Sequence, residues 1–138
     1  MRSIFSNHIG VTSPVALFAM TLFLLAGCQA EEAGSAIQEI SQQALLSSPP
    51  KDALILDVRT FAEFTEGHIP DAMHIPHDEL AARFPELKAD LDRPIVLYCK
   101  SGRRAGIAAA ILQRAGFVNL HHLTGDMNEW IARGRRLE

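Results

Sequence analysis

Cys99 stands between an apolar run, Ile95-Val96-Leu97-Tyr98, and a short polar loop, Lys100-Ser101-Gly102-Arg103-Arg104. Beyond the loop, Ala105-Gly106-Ile107-Ala108-Ala109-Ala110-Ile111-Leu112 reads as a helix. A cysteine at a strand-to-helix turn faces several backbone N–H groups and the positive end of the helix dipole. Both stabilise a thiolate. Lys100, Arg103 and Arg104 add positive charge and donors suited to an oxyanion. The chemistry implied is a nucleophilic thiolate, Cys99, at the bottom of an anion cradle. Lys100, Ser101, Gly102, Arg103 and Arg104 are its substrate-binding residues. A lone cysteine is more often a small buried hydrophobe, but packing alone does not require Ser-Gly-Arg-Arg after it.

The elements that must hold this loop follow from the patterning. Residues 37–40 read as a short strand, and Ser41 as the N-cap of a short helix carrying Ala44, Leu45 and Leu46. Ser48-Pro49-Pro50 breaks that helix. Residues 53–58 are nearly continuously apolar, as in a strand buried on both faces. Thr60 caps a helix over 61–65 that Gly67 ends. A short strand is expected over 72–75. Asp78 is expected to cap a helix over 79–84, with Pro85 interrupting and a further turn over 87–91. Residues 95–98 form the central strand. The following helix runs to about Ala115, with Ala105, Ala108, Ala109 and Leu112 as its sheet-facing side and Gly116 as its C-cap. A last strand is expected over 118–120. A closing helix over 128–133 puts Trp130 and Ile131 in the core, and 134–138 reads as a solvated basic tail. This alternation predicts an α/β domain with a mainly parallel central sheet and helices on both faces. Ligands bind such sheets at the carboxyl ends of the strands, where Cys99 falls.

Asp57 and Arg59, two apart at a strand end, share a face. They read as rim or structural residues, with Arg59 pairing Glu63 or another acid and Asp57 holding the loops. His68 is tempting as a base for Cys99 but reads as scaffold. His121 and His122 would face opposite sides of a strand and read as structural or surface residues. No metal site and no cofactor are expected.

Several motifs resemble the rhodanese-like sulfurtransferase family. They are the Cys99–Arg104 loop, Leu56-Asp57-Val58-Arg59, Glu63-Phe64, Gly67-His68-Ile69-Pro70-Asp71-Ala72 and Ile75-Pro76. They occur in the family's order, over roughly residues 37–134. Two departures stand out: Asp71 and Asp126 lie where the family usually has glycine. The resemblance implies a sulfurtransferase. Thiolate Cys99 would take a sulfane sulfur from thiosulfate or a similar small anionic donor, hold it as a persulfide, and pass it to cyanide or a thiol, including a protein thiol. Arg104, at the helix start, could close the loop by hydrogen bonding to its carbonyls. One rival reading is a sulfur-carrier or binding module for a protein partner. Another is a cysteine-dependent phosphatase or arsenate reductase; those resemble rhodaneses in fold but carry five residues between Cys and Arg. Here four residues, Lys100 to Arg103, separate Cys99 from Arg104, a loop better sized for sulfur.

The remaining composition bounds the class. A chain of 138 residues suits one domain with length left over. Net charge is −3, without a basic run large enough to suggest nucleic acid. Two cysteines exclude a disulfide framework. Residues 15–26 form an apolar run of signal-peptide length. It leads to Leu25-Ala26-Gly27-Cys28, which resembles a bacterial lipoprotein cleavage site with Cys28 as the lipidated residue. The expected organisation is a signal peptide over 1–27, lipidated Cys28 and a flexible tether over 28–36, and the rhodanese-like domain over 37–138. The domain would then be exported and membrane-anchored through its N-terminal lipid, facing the periplasm or cell exterior, with the outer membrane suggested by Gln29.

Overall fold

The computed structural model describes residues 36–138. The expected signal peptide, Cys28 and nearly all of the tether lie outside the described residues. Five strands form one sheet in the order β1-β5-β4-β2-β3, and every neighbouring pair is parallel. The strands are β1 (Gln38–Ile40), β2 (Leu54–Asp57), β3 (Met73–His74), β4 (Ile95–Tyr98) and β5 (Leu120–Leu123). The helices are α1 (Gln42–Ser47), α2 (Phe61–Glu66), α3 (Leu80–Arg83), α4 (Arg103–Arg114) and α5 (Asp126–Ala132), with a 3-10 turn over Phe84–Leu87. The expected α/β architecture is therefore present. Among the described residues, no helix is long and apolar enough to cross a membrane.

All four residues of β4 are buried, and their alternation divides the core in two. Ile95, Leu97 and Cys99 face a cluster with Leu80, Ala105, Ala108 and Leu112. Val96 and Tyr98 face a second with Leu45, Met127 and Trp130. The small inner side of α4, Ala105, Ala108, Ala109 and Leu112, is fully buried as expected. Close helix approach at that side sets where the loop before α4 can lie.

Local signals placed the short helices well. Ser41 Oγ accepts from the Ala44 N–H at 3.1 Å. Thr60 and Glu63 form a reciprocal capping box at the start of α2, and Gly67 follows its end. Thr60→Ala removes the acceptor for the Glu63 N–H and a hydroxyl donor to Glu63. We expect a loss of about 1 kcal/mol in urea unfolding; an unchanged midpoint would contradict the capping role.

Four expectations need correction. Asp78 does not cap α3: the preceding residue is Glu79, in helical conformation and without a side-chain cap bond, and the helix grows out of a turn in which the Glu79 N–H donates to the Pro76 carbonyl. The last strand lies two residues further on than expected, because β5 pairs with β4 from Leu120 and with β1 through Leu123. Ile131 is exposed: α5 turns Asp126, Met127 and Trp130 inward, and Ile131 lies about 100° round the helix from Trp130. The basic end is largely solvent-exposed as expected, but it is not a loose tail. The His68 and Glu138 backbones exchange hydrogen bonds at 2.9 and 3.0 Å, the Trp130 indole donates to the Arg136 carbonyl, and Arg135 lies over the Trp130 ring.

Candidate active site

Cys99 follows the last residue of β4, the strand flanked by β2 and β5. It is 1% exposed and is a free thiol. The loop turns back at once, so that the Gly102 N–H donates to Cys99 Sγ at 3.1 Å. Gly102 adopts φ +96°, a left-handed conformation that glycine enters without steric cost. It precedes the first turn of α4 and has no side-chain cap bond, so the sulfur sits at a helix N-terminus. Lys100, Ser101 and Arg103 have exposed side chains around this point. They give the mouth of the site two free-reaching cations.

Arg104 was expected to hydrogen-bond the loop carbonyls, but its side chain pairs with Glu63. Its two terminal nitrogens reach the two carboxylate oxygens of Glu63 at 2.6 and 2.8 Å. Glu63 is also the capping-box acid of α2. Its carboxyl is held far below the usual range, first by the Arg104 hydrogen bonds and then, against the opposing cost of burial, by the Thr60 backbone and hydroxyl donors. The Arg104 guanidinium is held charged mainly by Glu63, with the Cys99 sulfur a smaller contributor. Arg104 thus ties the cysteine loop to the helix that follows β2, with its charge beside the sulfur.

Arg59 pairs with Asp57 rather than Glu63. Its Nε and one terminal nitrogen contact the Asp57 carboxylate at 2.6–3.0 Å. Its backbone N–H donates to the same carboxylate, and its guanidinium also donates to the Gly67 carbonyl. The carboxylate is fully buried, and Glu63 is already taken by Arg104. Burial works against the Arg59 charge, and the Asp57 hydrogen bonds and charge overcome it. Asp57 therefore bonds both the backbone and the side chain of Arg59 in the β2–α2 loop. His68 is scaffold too: Nδ1 contacts the Phe64 carbonyl at 3.1 Å and the ring stacks on Phe64 at 3.8 Å.

Two residues next to the cysteine were not singled out as site residues from sequence. Asp126 is 2% exposed, and its Oδ1 accepts from the Cys99 backbone N–H at 2.7 Å. Its Oδ2 contacts His122 Nε2 at 3.0 Å, and His122 Nδ1 contacts Glu39 at 3.1 Å. Asp126 and Asp71 have φ +49° and +63°. The expected glycines are thus replaced by aspartates that keep the left-handed turn, which Asp tolerates better than most residues. The available signal was this exchange of a family glycine for a carboxylate at the loop bordering the site. An apolar groove of about 530 Å³ lies elsewhere, among Leu45, Ile55, Ile69 and Trp130, with no cysteine-loop residue in its lining.

Comparison with known proteins agrees with this geometry. Residues 41–133 match the family described as rhodanese-like domain. A sulfurtransferase of Allochromatium vinosum is 34% identical over 100 residues, covering 71% of this chain and 92% of that protein. A tRNA uridine(34) hydroxylase of Erwinia tasmaniensis is 31% identical over 110 residues, covering 77% of this chain but only 31% of the hydroxylase. Among solved structures, a rhodanese-related protein of Thermoplasma volcanium superposes with a TM-score of 0.64 at 26% identity, covering 73% of this chain and 97% of that one. A Rhodopseudomonas palustris protein described as a possible tyrosine phosphatase gives 0.65 at 26% identity, covering 75% and 86%. With its parallel sheet, its cysteine loop at the end of the central strand and this match across 41–133, the chain belongs to the rhodanese-like domain family.

Proposed function

We propose that this protein is a sulfurtransferase that moves a sulfane sulfur from thiosulfate or a similar donor to a thiophilic acceptor through a persulfide on Cys99. The observation that carries the reading is the Gly102 N–H aimed at Cys99 Sγ at the start of α4. The Cys99 thiolate attacks the outer sulfur of thiosulfate. The bond between the two donor sulfurs breaks, and its electron pair leaves on sulfite. The terminal persulfide sulfur keeps the negative charge, which the helix N-terminus and loop donors stabilise. Cyanide or a thiolate then attacks that terminal sulfur, and the Cys99 thiolate is regenerated. Lys100 and Arg103, exposed at the mouth, draw the donor anion in.

The alternative of a cysteine phosphatase is supported by the fold-level likeness to the possible tyrosine phosphatase, and opposed by the four-residue spacing between Cys99 and Arg104. The hydroxylases match over less than a third of their length, so their whole-protein activity is not carried over. Transfer to a specific protein thiol in place of a small acceptor fits the same persulfide. For location we propose the exported lipoprotein form, supported by the apolar run and Leu25-Ala26-Gly27-Cys28. Intact-protein mass spectrometry after thiosulfate should show one added sulfur, which digestion places on the Cys99 peptide and which cyanide removes with formation of thiocyanate. No added sulfur on a folded protein, with turnover of an aryl phosphate instead, would overturn the reading.

A further inference from the structure

His122 lies between two acids. One imidazole nitrogen faces Glu39 of β1 at 3.1 Å and the other faces Asp126 of α5 at 3.0 Å. A neutral imidazole can donate from only one nitrogen, and would leave one carboxylate oxygen against a lone pair. The imidazolium donates to both. Asp126 in turn holds the Cys99 backbone N–H. The pair also underlies the loop: a Cβ placed on Gly102 would lie 3.2 Å from Asp126 Oδ2 and 3.3 Å from His122 Cε1. Gly102 is the residue whose N–H meets the sulfur.

We propose that Asp126 and His122 are positioning residues that set the charge met by an incoming sulfur donor, so that the protonated pair admits anionic donors and the deprotonated pair selects against them. The inference rests on Cys99 being the sulfur-accepting nucleophile. With His122 protonated, the Asp126 charge is compensated and the cradle keeps the helix and cation field. With His122 neutral, a buried carboxylate charge stands beside the site and opposes a dianion such as thiosulfate. The charged groups facing His122 are Glu39 and Asp126. Lys100 and Arg103 of the neighbouring loop have exposed side chains, and Arg104 is held by Glu63. Burial works against the imidazolium, and the Glu39 hydrogen bond and the Asp126 charge overcome it, so His122 protonates above its ordinary 6.5. The folded-state value is raised, so the contribution of the pair is complete below about 6.5 and is lost as pH rises through the raised value.

Asp126→Asn separates charge from geometry. Asparagine tolerates the left-handed backbone, its oxygen can keep the Cys99 N–H, and its amide can donate to a neutral His122. The test alkylates the full chain at Cys99 with iodoacetate and with iodoacetamide from pH 5.5 to 9, reading the Cys99 peptide by mass spectrometry. The ratio of the two rates cancels the thiolate fraction and reports the local charge. In the wild type the ratio should fall by about 3- to 10-fold as pH rises through the His122 titration. In Asp126→Asn, where His122 still titrates beside Glu39, it should lie above the wild-type ratio at every pH, and in His122→Gln it should be low and flat. Identical ratios in all three folded proteins, with the thiosulfate adduct present, would overturn this inference and keep the sulfur-transfer reading. Ratios that behave as stated, with no thiosulfate adduct at any pH, would overturn the sulfur-transfer reading and leave the charge control standing.

Discussion

Cys99→Ser is expected to lose sulfur transfer by at least about 10⁴-fold, the scale of removing the nucleophile from a covalent mechanism, while the protein stays folded. Serine Oγ fits the space of Sγ, and the Gly102 N–H that now points at sulfur at 3.1 Å can donate to it. The buried hydroxyl thus keeps a partner, and the melting change should stay within about 1.5 kcal/mol. What is lost is chemistry. A serine hydroxyl is hardly ionised at neutral pH, and the oxygen analogue of the persulfide is not a stable carrier of sulfane sulfur. Single-turnover mixing with thiosulfate, read as sulfite release and as mass on the peptide that contains position 99, separates the two explanations of a dead variant. A folded serine variant that still releases sulfite and makes thiocyanate would remove Cys99 from the mechanism.

The second large effect is on stability. Asp57→Ala should cost about 3–5 kcal/mol, the range for leaving one partner of a buried ion pair alone. Asp57 is fully buried and the Arg59 side chain is 6% exposed. Without the carboxylate, the Arg59 guanidinium keeps the Gly67 carbonyl as hydrogen-bond partner and its place over the Tyr98 ring, and its backbone N–H loses its acceptor. Against a typical domain stability of about 5–15 kcal/mol, this removes a large share, and at the low end of that range it would leave a substantial fraction unfolded. Asp57→Asn keeps an oxygen for the Arg59 backbone N–H and should fall between the wild type and the alanine variant in urea unfolding. If both variants unfold within about 1 kcal/mol of the wild type, the Asp57–Arg59 pair is a rim contact and not the brace of the β2–α2 loop.

These residues also show what could be read from the chain alone. The β4–loop–α4 unit was legible because its parts are local: four apolar residues, a glycine at a left-handed turn and a small-residue helix face all lie within one stretch. The caps at Ser41 and Thr60 were legible for the same reason. Partners across the sheet were not. Glu63 is close to Arg59 in sequence, yet it serves Arg104, 41 residues away. Asp126 reaches the Cys99 N–H across 27 residues, and His122 reaches Glu39 across 83. The first depends on β2 lying beside β4 and the other two on β1 and β4 both flanking β5, an order that no periodicity encodes. The shift of β5 has a related cause: His121 and His122 break the apolar pattern, and pairing with two neighbouring strands outweighs that local signal.

Glu63 has one further consequence, for how substitutions around it combine. One carboxylate closes the capping box of α2 and also holds both ends of the Arg104 fork. A substitution at position 63 alters a helix start and the support of the cysteine loop at one stroke. Substitutions at Thr60, Glu63 and Arg104 should therefore be non-additive in their effect on stability, because all three act through one carboxylate, although none of them exchanges an atom with the sulfur donor.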